Sequence, residues 1–180
     1  LDQERYDGYF RDKCVFSPEI DIEDSMSVSV KYDSGMIMSY ALNAFMPWEG
    51  YSISFNGTRG RIEHTCVESV YVSGDGTIPG QMIEKGTSIV VHPHFGPSYN
   101  VPIEEAKGGH GGGDDPLLDD VFSPHPPADP LFRSAGAAEG SYSILTGIAA
   151  NESIRTGTVV RVADLVPAIP PPGYGPAPAR

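Results

Sequence analysis

The chain has 180 residues, with 24 Asp and Glu against 12 Lys and Arg and a formal net charge of −12. This is length for one domain with its own core, and a charge balance that excludes nucleic acid or an anionic membrane as partner, since both select clustered Lys and Arg. No apolar run approaches a membrane span and no secretory leader is present, so a cytoplasmic protein is expected, with Cys14 and Cys66 free or at most joined in one bridge.

Residues 1–22 carry Pro18, scattered charges and no sustained hydrophobic period, and read as an irregular lead-in. The first residue is Leu1, in a charged and aromatic run, Leu1-Asp2-Gln3-Glu4-Arg5-Tyr6, which reads as the continuation of a longer protein with a missing N-terminal domain. The main domain is expected over 23–166. Met26, Val28, Val30 and Tyr32 alternate with Ser25, Ser27, Ser29 and Lys31, the period of a strand with one apolar and one small polar face. Asp33-Ser34-Gly35 supplies turn chemistry, and Met36, Met38, Tyr40, Leu42 and Ala44 resume the alternation, which predicts a hairpin. After Pro47-Trp48-Glu49-Gly50, Tyr51, Ile53 and Phe55 alternate with Ser52 and Ser54, Asn56-Gly57-Thr58-Arg59-Gly60 turns the chain, and 61–64 returns as a short strand. Further strands are expected at 66–72 and 88–92, around the loop Gly74-Asp75-Gly76-Thr77. Consecutive hairpins build an antiparallel sheet. Ser27, Ser29, Ser39, Ser52 and Ser54 would share one face of it, either solvated or packed against a second subunit.

The segment Gly108-Gly109-His110-Gly111-Gly112-Gly113-Asp114 places five glycines in six positions around one histidine. Such a backbone reaches positive φ and approaches other groups closely. Asp115-Pro116 then reads as the start of a short helix to about Phe122, with Asp115 as its cap. The loop lacks the Lys and Ser/Thr of a P-loop, and its acidic pair would repel a phosphate. His110 is read either as a ligand contact or as a locally hydrogen-bonded turn residue. Beyond the Pro-rich run 123–133, residues 141–156 form the strongest predicted helix, with Tyr142, Leu145, Ile148 and Ala149 on one stripe and Gly157 as its stop. A last short strand is expected at 158–162, and 167–180 is a Pro-rich tail.

Nothing in the sequence assigns a catalytic residue. His92-Pro93-His94 with His125 and His110 does not match the spacing of known metal-ligand sets, so no metal is expected. No G-x-S-x-G elbow is present, and the serines of the strands have no base assigned to them. Neither cysteine has an electropositive setting. The Asn56-Gly57-Thr58 and Asn151-Glu152-Ser153 glycosylation patterns are short enough to arise by chance. Asn43, at the end of its strand on the serine face, is read either as a polar contact or as an ordinary strand-end hydrogen-bonding residue, and Trp48, beside Pro47, either lines a pocket mouth or packs in the core or as a lid.

Taken in order, Asp24-Ser25-Met26-Ser27-Val28-Ser29-Val30 with Tyr32-Asp33-Ser34-Gly35, then Ile53 to Ile62, Gly108 to Asp114, and Gly147 to Gly157 leading to Val159 resemble the C-terminal domain of the Gfo/Idh/MocA oxidoreductase family. The resemblance covers about 20–166. It implies an α+β fold, an open, mostly antiparallel sheet with helices packed on one face, and a homo-oligomer formed through that open sheet face. It also implies a Rossmann domain binding NAD or NADP in the parent protein, with a sugar or polyol substrate in the cleft between domains. His110 would then contact a substrate hydroxyl and Asp114 would fix the loop, while this chain alone, without a nucleotide fingerprint, would bind no cofactor and transfer no hydride. Two other readings stay open: a stand-alone binding or assembly module, and a metal-dependent hydrolase using His110 with His92 or His94.

Overall fold

The serine-alternating stretch folds as its period dictates. In the computed structural model, which describes residues 4–10, 13, 14, 16–69, 86–103, 112–126 and 128–169, β1 (Ser25–Lys31) and β2 (Ile37–Asn43) pair antiparallel from Ser25↔Asn43 to Lys31↔Ile37. Met26, Val28 and Val30 are half-buried, and Ser25, Ser27 and Ser29 are exposed, so one face of the hairpin is apolar and the other is hydroxyl-bearing. The turn closes through Tyr32 N–H donating to Met36 O at 2.9 Å and Gly35 N–H donating to Tyr32 O at 2.9 Å, with Gly35 at a φ of 86°.

The second hairpin is β3 (Glu49–Gly57) and β4 (Gly60–Ser69), joined at Gly57↔Gly60. The expected strands 61–64 and 66–72 are one strand as far as Ser69. Thr65 continues the alternation between Ser52 and Ser88, and no breaker separates His64 from Cys66. Positions 70–72 and the loop 74–77 lie outside the described residues. β5 (Gly86–Pro93) pairs antiparallel with β4, and β6 (Tyr99–Asn100), too short to carry a period, pairs with Val90 and Val91. The strands therefore form two sheets among the described residues, β1-β2 and β3-β4-β5-β6, in place of the one expected. Among the described residues of the lead-in, Glu4–Asp7 form one helical turn, α1, closed by Gly8 N–H donating to Glu4 O at 2.8 Å. Phe16 stacks on Phe45 with ring centroids 5.4 Å apart, tying the lead-in to the link after β2.

Two glycines are dictated by backbone approach. At Gly60, φ is 156° and an added Cβ would run into the carbonyl oxygen of His92 and come within 2.9 Å of Pro93 Cα. At Gly50, φ is 150° and a Cβ would meet the carbonyl oxygen of Cys66, where the β3–β4 register shifts between Glu49 and Gly50.

Cα packing divides the chain into two units, Leu1–Val101 and Pro102–Arg180. The second holds α2 (Asp114–Phe122), α3 (Ala137–Thr156) and α4 (Val162–Leu165). Gly113, not Asp115, is the N-cap of α2, and no side chain caps it. The strongest predicted helix starts four residues earlier than its period suggests, at Ala137. Glu139 accepts the Gly136 N–H at 2.9 Å, half of a capping box, and so occupies an otherwise orphan donor. Gly157, at a φ of 67°, ends α3 as expected and donates to Ser153 O at 2.8 Å. Leu145 and Ala149 face inward with Tyr142 beside them, whereas Ile148 lies on the exposed side, a correction to the predicted stripe.

The strand expected at 158–162 does not form. Ser153 Oγ donates to Thr158 O at 2.6 Å, taking the carbonyl a ladder would need, and α4 begins at Val162. Between α2 and α3, Asp129 accepts the Ser134 N–H at 2.8 Å; that bond leads the effects holding its carboxyl below its usual range. Among the described residues no helix is long and apolar enough to cross a membrane.

Candidate functional site

Antiparallel register brings the polar residues of β3, β4 and β5 onto one face of the four-stranded sheet, because directly paired residues point the same way. Ser54 pairs with Glu63, Asn56 with Arg61, and Arg61 with His92. Arg61 uses all three guanidinium nitrogens within this face. Nε donates to Glu63 Oε1 at 2.6 Å, Nη1 to Asn56 Oδ1 at 2.8 Å, and Nη2 to Ser54 Oγ at 2.7 Å. Beyond Glu63, His92 Nε2 lies 3.5 Å from Glu63 Oε2, and His92 Nδ1 lies 2.8 Å from Ser98 Oγ in the β5–β6 turn. A polar chain thus runs across three strands and the turn that follows them.

The charges in this chain are matched. The hydrogen bond from Arg61 holds the Glu63 carboxyl below its usual range; partial burial opposes this, the positive charge of Arg61 adds to it, and the nearby His92 contributes less, through its protonated form. A carboxyl whose folded pKa is depressed contributes stability in full above its ordinary pKa of about 4.3, and that contribution is lost as pH falls through the lowered value. Urea unfolding at a series of pH values from 6 to 3, with and without Arg61→Met, checks this. The variant is expected to lose less stability than the parent between about pH 4.5 and 3, because its Glu63 titrates near the ordinary value. Identical slopes would remove Glu63 from the account, leaving Asp129 and Glu152, whose carboxyls are also depressed.

The residues singled out in the sequence are distributed over both units. Asn43 ends β2 opposite Ser25 on the hydroxyl-bearing face and is exposed. Trp48 is half-buried just ahead of β3, and its ring passes where a side chain on Gly50 would stand, 2.9 Å from that Cβ position. Asp114 is the first residue of α2 and is exposed. His110 lies outside the described residues. Asn43 and Trp48 belong to the first unit and Asp114 to the second. Of the histidines weighed as metal ligands, His92 is engaged with Ser98 and Glu63, and His94 Nε2 lies 3.3 Å from Gly57 O. Among the described residues no group of three or more His, Cys, Asp or Glu side chains is placed to hold a metal ion. Sequence reasoning missed the Arg61–Glu63–His92–Ser98 chain. The spacing of Arg61 and Glu63, two apart on one strand, was the only legible part of it.

The fold and order of these elements agree with the comparison to known proteins. Residues 2–162 match the Gfo/Idh/MocA family described as "Oxidoreductase family, C-terminal alpha/beta domain". The chain belongs to this family. Its antiparallel strands followed by helices are the α+β arrangement expected of a Gfo/Idh/MocA C-terminal domain. A protein of Bacillus subtilis (strain 168) named as an oxidoreductase, YteT, is 39% identical over 142 residues, which is 79% of this chain. The chain spans about a third of that relative, 32% of its length. No solved structure matches it significantly.

Proposed function

We propose that this Gfo/Idh/MocA domain is the substrate-binding and oligomerisation half of an NAD(P)-dependent oxidoreductase that acts on a sugar or polyol. The carrying observation is the family match over residues 2–162, specifically to the C-terminal domain type. Members of the family use a nicotinamide cofactor, and the present sequence holds no G-x-G-x-x-G fingerprint, so the cofactor is assigned to a Rossmann domain of the parent protein. In this reading His110 and Asp114, with Asn43 and Trp48, supply substrate contacts, and the chain alone transfers no hydride. The exposed serine face of β1 and β2 is the surface offered to a second copy; small side chains there allow two sheets to approach closely. A cytoplasmic setting fits the free thiols of Cys14 and Cys66.

The test is made on the product of the whole gene. It is expected to bind NADH or NADPH, seen as a change in nicotinamide fluorescence, while the 180-residue chain does not. Turnover on a panel of sugars and polyols at low substrate concentration is expected to fall by about 10-fold in His110→Ala, the size of one lost hydrogen bond, with nucleotide binding retained. In sedimentation velocity, Ser27→Lys with Ser29→Lys is expected to convert an oligomer to monomer. A gene encoding nothing beyond these residues, or a full product without nucleotide binding, would overturn the dehydrogenase reading. A stable dimer would then favour the assembly module.

A further inference from the structure

The polar chain on the four-stranded sheet ends in a hydroxyl next to an imidazole, and the charges around that imidazole decide which nitrogen carries its proton. His92 Nε2 is closed off from solvent, makes no hydrogen bond, and has Glu63 Oε2 as its facing charge at 3.5 Å. An ionised carboxylate only accepts hydrogen bonds, so the neutral imidazole is stabilised with its proton on Nε2, toward Glu63. Arg61, bonded to the other oxygen of Glu63 at 2.6 Å, keeps that carboxylate ionised. In that tautomer the lone pair of His92 is on Nδ1, and Ser98 Oγ, 2.8 Å away and exposed to solvent, is the donor to it. This is the order nucleophile, base, orienting carboxylate that activates a serine in acyl transfer, here with Ser98 on the δ nitrogen. Two serines of β3 have other partners: Ser52 Oγ meets Thr65 Oγ1, and Ser54 Oγ receives a bond from Arg61.

We propose that Ser98 is a nucleophilic serine, with His92 as its general base and Glu63 as the residue that orients the imidazole, and that it accepts acyl groups from activated carboxylic esters. In the step, Ser98 Oγ forms a bond to the acyl carbon as its proton passes to His92 Nδ1. The ester C–O bond breaks, and the leaving oxygen takes the electron pair and then the proton held on His92 Nδ1, so the alcohol or phenol departs and the imidazole is neutral again. Water then attacks the acyl-serine as His92 Nδ1 takes its proton; the acyl carbon–Oγ bond breaks, Ser98 Oγ takes that proton back from the imidazolium, and the carboxylic acid is released. No redox partner is needed. The relay supplies base assistance alone, so the substrates are esters with good leaving groups. This inference is independent of the dehydrogenase reading, because it needs neither a nucleotide nor the parent domain.

The experiment uses the full 180-residue chain and p-nitrophenyl acetate, with release of p-nitrophenolate followed by stopped flow and the acetylated peptide located by mass spectrometry. One acetyl group per chain on Ser98 is expected, with the burst lost in Ser98→Ala and retained in Ser52→Ala. His92→Gln is expected to slow acylation by about 100-fold or more, the size of general-base assistance. Glu63→Gln reads the same relay where His92→Gln does not fold, as judged by circular dichroism. Acetyl groups on lysines or histidines alone, a burst unchanged in Ser98→Ala, or labelling of Ser98 as fast in urea as in buffer would each overturn the proposal.

Discussion

Gly60→Ala is expected to destabilise the four-stranded sheet by about 3 kcal/mol or more, enough to remove much of the stability of a domain this size. Two separate terms contribute. A non-glycine residue at a φ of 156° is strained by its own backbone. The new Cβ would also collide with the His92 carbonyl oxygen and stand 2.9 Å from Pro93 Cα. Both obstacles are backbone atoms, and Gly60 is register-paired with Pro93, so neither can shift without opening the end of the β4–β5 ladder. Gly86→Ala is the control: φ is positive there as well, at 134°, but no atom lies within 4 Å of the added Cβ, so only the conformational term applies. Urea titrations of both variants decide the matter. Equal losses, within about 0.5 kcal/mol, would mean that the backbones do not approach at Gly60 as described.

Leu145→Ala is expected to cost about 2–4 kcal/mol, and Ile148→Ala less than about 1 kcal/mol. Leucine and alanine have similar helix propensity, so the first loss reports packing and not helix formation. Leu145 is 6% exposed and Ile148 is 48% exposed, although both fall within the apolar stripe read from the sequence. Thermal unfolding of the two variants distinguishes the alternatives. A larger loss from Ile148→Ala would restore the predicted stripe and reverse the inward face of α3.

Much of the first unit was legible in the residues. Alternation of serine with Met26, Val28 and Val30 is a local signal of period two, and it survives because one face of that hairpin is covered and the other is not. The turn at Asp33-Ser34-Gly35 was legible for the same reason, since Gly35 has the positive φ that the turn requires. The β4 strand was split in two because apolar periodicity weakens at Thr65, yet a polar residue on the polar face does not interrupt a ladder. The strand expected at 158–162 failed in the opposite direction. Thr158, Val159 and Val160 have β propensity, but propensity does not supply a partner, and Ser153 takes the Thr158 carbonyl.

The site shows the same division. His110, Asp114, Asn43 and Trp48 drew attention through local composition: glycines around a histidine, an acid at a helix start, polar and aromatic residues at strand ends. Family membership was likewise carried by short segments in a set order along the chain. None of that required knowing which strand lies beside which. By contrast, the relation of Ser54 and Asn56 to Arg61, and of Glu63 to His92, depends on register between strands, and Ser98 reaches His92 from the turn that follows, 35 positions after Glu63. Composition, alternation and turn chemistry determined the class of fold and its hairpins, because those are properties of neighbouring residues. Only the tertiary structure decided which glycines must lack a side chain, which face of α3 is inside, and which serine has a base, because each depends on atoms that the chain brings together from a distance.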